Sequence, residues 1–161
     1  MKTKTLLKDG VLIAVSMTIS MIETQIPLAL PIPGVKPGFA NIAGIYAMFT
    51  MSAKDCFIVM FLRILLVGIL HGNMISFLLS LAGGLFCFLQ LCFLKKILNA
   101  DQIWVAGISG AVFHNLGQIL MAVFLYHNPA LFYYLPFLMV SGVVSGLLTG
   151  WLAQKCIGRL P

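Results

Sequence analysis

Long apolar runs dominate this chain, and short polar or proline- and glycine-containing breaks divide them. The first predicted helix runs from about Leu7 to Leu30 and is ended by Pro27, Pro31 and Pro33, which cannot continue a regular helix. A loop from Pro31 to Gly38 follows. The second predicted span is short, about Phe39 to Met51, and Ser52-Ala-Lys-Asp55 turns the chain directly into the third, about Cys56 to Leu70. His71-Gly-Asn73 makes the next break, and the fourth span covers about Met74 to Leu94 before Lys95-Lys96. The fifth covers about Ile103 to Tyr126, and His127-Asn-Pro-Ala130 turns into the sixth, about Leu131 to Cys156. The runs are too long and too continuous for the alternating strands of a membrane barrel, so helices are predicted throughout.

Composition settles the solvent of these helices. Of 161 residues, 61% are hydrophobic and only 9% charged, more apolar surface than a soluble core can absorb. At roughly 20 residues per crossing, the length allows about six spans and no separate soluble domain. The expectation is therefore an all-α, polytopic membrane protein, a six-helix bundle occupying residues 1–161 as one integral membrane domain. The second and third spans are shorter than a full crossing and must tilt, thin the bilayer or be shielded by neighbouring helices.

A formal net charge of +6 raises the question of nucleic acid, but these lysines and arginines flank apolar segments and form no patch on a solvated domain. No nucleic-acid partner is expected. With six spans, one face receives Lys2, Lys4, Lys8, Lys54, Lys95, Lys96, Lys155 and Arg159, and the other only Lys36. The crowded face is then cytoplasmic, both termini are cytoplasmic, and the cell membrane is the expected location. Tyr126, Tyr133 and Tyr134 fall at the outer interface and Trp104 and Trp151 at the inner one, as aromatic belts do. The basic start resembles a secretory signal, but no small-residue cleavage site follows it, and it reads as a retained first helix. Cys56, Cys87, Cys92 and Cys156 match no metal or cluster spacing and read as reduced packing residues.

Two charged residues fall deep inside predicted spans, Glu23 in the first and Arg63 in the third. Each lies about seven residues from the outer end of its helix, roughly 10 Å deep. Intramembrane charges are costly and mark either a ligand site or a pairing that fixes helix register, and both readings remain open. Gln118 lies at similar depth in the fifth span, with His114 and Asn115 one turn deeper. Asn41, His71 and Asn73 add polar groups on the same side, whereas inner-half positions are nearly all apolar or small. No nucleophile with its base, no phosphate-cradling loop, no magnesium-binding aspartate pair and no metal-ligand spacing is evident. No catalytic residue, metal or cofactor is assigned. Gly10, Ala14 and Thr18 recur every four positions on the first span, a face that a partner helix can approach. The small residues Gly142, Gly146 and Gly150 of the sixth, and Ala82, Gly83 and Gly84 of the fourth, suit packing inside the bundle.

Several segments carry a family likeness: Ile32-Pro-Gly-Val-Lys-Pro-Gly-Phe-Ala-Asn-Ile42, Arg63-Ile-Leu-Leu, Ser80-Leu-Ala-Gly-Gly84, Gly110-Ala-Val-Phe-His-Asn-Leu-Gly-Gln118 and Tyr134-Leu-Pro136. They resemble the heptaprenyl diphosphate synthase component I family, also called Gx transporters. That family is in turn similar to the substrate-binding S components of energy-coupling-factor transporters. The resemblance implies an S-component-like fold, an outward-facing pocket for a small-molecule substrate, and docking of the first helix to a transmembrane coupling subunit driven by ATPases. The site residues then expected are Glu23, Asn41, Arg63, His71, Asn73, His114, Asn115 and Gln118. The alternative is a noncatalytic membrane subunit that anchors a polyprenyl diphosphate synthase or presents its lipidic product to the bilayer.

Overall fold

The computed structural model describes residues 3–25, 38–71 and 73–158, and these are all-helical. The helices are α1 (Thr3–Gln25), α2 (Asn41–Thr50), α3 (Ala53–His71), α4 (Met74–Leu94), α5 (Ile103–Tyr126) and α6 (Leu135–Ile157). Four helical segments, Thr3–Glu23, Met74–Leu94, Ile103–Tyr126 and Pro129–Ile157, are long and apolar enough to cross a membrane. The six expected spans thus correspond to six helices of which four qualify by length and composition. The 10 residues of α2 reach about 15 Å, half of a hydrocarbon core, and α3 carries Lys54, Asp55 and Arg63. Residues 26–30 of the first expected span, the loop from 31 to 37, and Lys2, Lys36, Gly72 and Arg159 lie outside the described residues.

Local chemistry sets the breaks. Ser52 and Asp55 cap α3 reciprocally: the Ser52 hydroxyl accepts from the Asp55 N–H at 3.2 Å, and the Asp55 carboxylate accepts from the Ser52 N–H at 3.1 Å. Asn73 caps α4 by accepting from the Ser76 N–H at 3.0 Å. His127 ends α5 in the left-handed region, at φ 48°. The sixth helix begins later than expected, because residues Pro129–Tyr134 form a 3₁₀ segment first. Pro136 explains the delay, since its ring would clash with the carbonyl four residues back if an α-helix ran through from Leu131.

Burial is inverted relative to a soluble protein. On α1 the buried positions include Asp9, Ser16, Ser20 and Glu23, whereas Leu6, Leu7, Val11, Val15, Met21 and Ile22 are exposed. A helix that turns apolar side chains outward and carboxylates inward is stable only where its outer solvent is hydrocarbon. The molecule is accordingly a membrane protein. Helix α2 has the opposite environment: it packs on all five other helices, with Ala43, Ile45, Ala47 and Met48 fully buried. Its shortness is tolerable because its neighbours, and not lipid, surround it.

Two apolar cores bracket a polar level. The larger joins α2 to α3, α4, α5 and α6 through residues such as Ile45, Met48, Val59, Leu91, Ile103 and Ala153. The smaller comprises Leu79, Ile119, Ala122 and Leu138. Between them along α5 stand His114, Asn115 and Gln118, all buried. Glycine closes the seams around this level. A Cβ on Gly107 would lie 2.3 Å from the Gly150 Cα, and one on Gly150 would lie 2.4 Å from the Trp104 carbonyl oxygen. The α5–α6 seam is thus backbone against backbone, and Gly117 makes the same approach to Ala82 and Gly83 of α4. The expectation that the glycines of the fourth and sixth helices serve internal packing agrees with these contacts.

Gly150→Ala should therefore force α5 and α6 apart and lower stability by about 1–3 kcal/mol, as overpacking does. Gly10→Ala, whose added Cβ would have no neighbour within 4 Å, should be neutral or stabilising by up to about 1 kcal/mol. Unfolding in a mixed-detergent titration distinguishes the two; equal effects would contradict the seam.

Candidate functional site

The polar level opens into a cavity lined by Ser20 and Glu23 of α1, Gly38, Arg63, Ile64, Val67 and Gly68 of α3, Asn73, Ser76, Phe77 and Ser80 at the start of α4, and His114 of α5. Its volume is about 30 Å³, room for roughly two water molecules. Arg63 is its central cation and is buried at 6% exposure. One Nη2 hydrogen bond runs to the Asn41 Oδ1 at 3.2 Å, which ties the middle of α3 to the first residue of α2. The Glu23 carboxylate accepts a hydrogen bond from the Phe39 N–H and acts electrostatically on Arg63. Carboxylate, amide and guanidinium thus bind α1, α2 and α3 to one another beneath the helix ends.

Gly38 is the hinge of this arrangement. It adopts φ +86°, a region that side chains rarely occupy, and a Cβ there would lie 3.0 Å from the Asn41 Nδ2 and 3.7 Å from the His114 ring. Only glycine lets the chain turn into α2 with Phe39 aimed at Glu23 and Asn41 aimed at Arg63. Gly83 has a similar role on the facing side, where a Cβ would lie 2.8 Å from the His114 ring and carbonyl.

Of the residues singled out from the sequence, Glu23, Arg63, Asn73 and His114 line the cavity, and Asn41 joins it through Arg63. Asn73 also spends its side-chain oxygen on the α4 cap, so it has a structural use of its own. Asn115 points elsewhere: its Nδ2 donates to the Leu138 carbonyl at 2.6 Å and links α5 to α6. Gln118 is fully buried, does not line the cavity, and neither of its amide atoms has a hydrogen-bond partner among the described residues. The Asn41 Nδ2 is likewise without one. His71 closes α3, and its side chain lies outside the described residues. Ser20, Ser76 and Ser80 line the cavity without having been singled out. Their signal was spacing: Ser20 precedes Glu23 by three, and Ser76 and Ser80 are four apart on α4, so each pair shares a helical face.

Gly10, Ala14 and Thr18 form an exposed stripe on α1. The Thr18 hydroxyl donates to the Ala14 carbonyl at 3.0 Å and is satisfied within its own helix, which leaves a face of small groups outward. No group of three or more His, Cys, Asp or Glu side chains suited to a metal occurs among the described residues.

Fold and site together define a helical membrane protein that encloses a small, charged, hydrogen-bonding cavity between α1, α3, α4 and α5. The model of the heptaprenyl diphosphate synthase component I family matches residues 12–156, and the chain belongs to that family. No curated protein and no solved structure matches it.

Removing one member of a buried pair leaves an uncompensated charge, a loss of about 3–5 kcal/mol. Arg63→Ala should therefore lower the unfolding free energy by that order. The double variant Arg63→Met with Glu23→Leu should recover most of it, because neither desolvated charge remains. If the double variant were as unstable as the single one, Glu23 and Arg63 would not be energetically coupled.

Proposed function

We propose that this chain is a membrane subunit that captures a small molecule for uptake, binding it through Arg63 and Asn41 with Glu23, Asn73 and His114 around it. The observation that carries this reading is Arg63, a buried guanidinium at a cavity wall with only part of its donor fork committed to Asn41. A planar fork of this kind suits a carboxylate or a carbonyl-rich group. The Asn41 Nδ2 supplies a further unused donor beside it. Glu23 orients Arg63 or meets a cationic group on the ligand. A cavity of about 30 Å³ admits a carboxylate-sized group, so a larger ligand enters only as α1 and α4 separate. Asn115, Gln118 and His71 stand as reserve contacts for such a widened state.

In this reading the chain is a single integral domain of six membrane segments in the cell membrane, with α2 as a short, shielded segment, the 19-residue α3 carrying Arg63, and both termini cytoplasmic. The fold is S-component-like, and Gly10, Ala14 and Thr18 dock a transmembrane coupling subunit whose ATPases supply the energy. The exposure of that stripe supports the assignment.

A second reading has support of its own. The family's description names a component of heptaprenyl diphosphate synthase, so the chain can act as the noncatalytic membrane partner of a soluble prenyl synthase. Native mass spectrometry of protein gently solubilised from its own membrane separates the two. Capture predicts a retained small molecule that is lost in Arg63→Ala, with coupling subunit and ATPases co-purifying. A soluble prenyl synthase bound to protein whose cavity is empty, unaffected by Arg63→Ala, would overturn capture in favour of the second reading.

A further inference from the structure

The buried face of α1 is a polar stripe. Asp9, Ser16, Ser20 and Glu23 follow one another at steps of seven, four and three, so they share one side of the helix, and α1 packs on α3 and α2. Glu23, at one end of the stripe, has Arg63 as its countercharge. Asp9 lies about 21 Å away at the other end and is only 3% exposed. Both of its carboxylate oxygens are covered, and neither has a hydrogen-bond partner among the described residues. The charged group that acts on it is Asp55 of α3, which has the same sign. The lysines of these two helices, Lys4, Lys8 and Lys54, are exposed. Lys8 lines an apolar cleft of about 390 Å³ bounded by α1, α2 and α6, which Asp9 does not border. On α3, the Cys56 thiol donates to the Gly44 carbonyl oxygen, and Arg63 stands eight residues beyond Asp55, roughly 12 Å along the axis. Helix α2 carries no charged residue, and its titratable side chain, Tyr46, lines the cleft.

A carboxyl enclosed in this way, without a donor or a countercharge and beside a second carboxylate, is untenable as an ion and stable as the neutral acid. We infer that Asp9 is a proton-binding site: the neutral acid seats the N-terminal half of α1 on α3, and the proton leaves only when that end of the helix lifts away and admits water. A proton is the cation that fits. Asp9 borders neither the polar cavity nor the cleft, whereas a metal ion needs room for itself and several oxygen ligands. Asp55 also spends one carboxylate oxygen on the Ser52 N–H and hydroxyl, at 3.1 and 2.8 Å. A lysine or arginine from another protein does not reach oxygens that are already covered. The two ends of the stripe therefore differ in kind: Glu23 is held by a fixed countercharge, and Asp9 only while it carries a proton. This pH-dependent latch on α1 stands whether the chain captures a solute or anchors a synthase.

Infrared spectroscopy tests the site on the full chain in dodecyl maltoside, a detergent with no carbonyl group of its own. At neutral pH the parent should show the carbonyl stretch of a neutral carboxylic acid, displaced when only the aspartate carboxyls carry a heavy carbon isotope. The chain has three aspartates, Asp9, Asp55 and Asp101. The band should vanish in Asp9→Asn and persist in Asp55→Asn and Asp101→Asn; its persistence in those two assigns it to Asp9 even where Asp9→Asn does not fold. Raising the pH should remove the band. Because the folded chain holds a proton that the unfolded chain has released, it should also lower the parent's folded-to-unfolded ratio about tenfold per pH unit relative to Asp9→Asn. Absence of a neutral-acid band at neutral pH, or its loss in Asp55→Asn, would overturn the inference. Displacement of the band by sodium at fixed pH, marking a metal-cation site, or equal pH slopes in parent and Asp9→Asn, would overturn it too.

Discussion

A guanidinium in a low-dielectric interior must be surrounded by acceptors, and much of this bundle follows from satisfying Arg63. Asn41 reaches it from the first residue of α2, and Glu23 supplies countercharge from α1. To bring both there, the chain makes the left-handed turn at Gly38 and presents the Phe39 N–H to the same carboxylate. The N-terminal end of α2 is thereby fixed beside the middle of α3. Once it is fixed, the rest of α2 lies among all five other helices and forms the centre of the larger core.

The remaining architecture answers to lipid. Outward positions are free to be leucine, valine and phenylalanine, so the inward faces hold the few polar side chains, the reverse of a soluble bundle. Without a hydrophobic drive between helices, close contact depends on small residues, and the α5–α6 and α4–α5 seams are glycine at their tightest points. These seams make α4, α5 and α6 a stiff wall. Helix α1 is held differently, by its polar stripe on α3 and its contact with α2.

Much of this was legible in the sequence because hydropathy and punctuation are local. The helices, the turn at Ser52-Ala-Lys-Asp55 and the placing of Glu23 and Arg63 within helices all come from counting residues along the chain. Rotation of a helix about its axis is not local. Asn115 and His114 are neighbours in sequence, yet one ties α5 to Leu138 and the other lines the cavity, and only the packing of α4 and α6 on α5 decides which. The central place of α2 was hidden for the same reason: a 10-residue apolar helix reads as an imperfect crossing until its five neighbours are known. Ser20, Ser76 and Ser80 escaped notice because a serine in a membrane helix commonly bonds its own backbone, and spacing alone does not say when it faces a cavity.

One helix, α1, borders two separate openings. Ser20 and Glu23 of α1 border the polar cavity, and Leu7, Lys8 and Val11 of the same helix border the apolar cleft at its other end. Because one rigid helix borders both, a tilt of α1 changes the width of the two openings together. A group that wedged one end of this rod would therefore be felt at the other, and linkage would make the influence mutual.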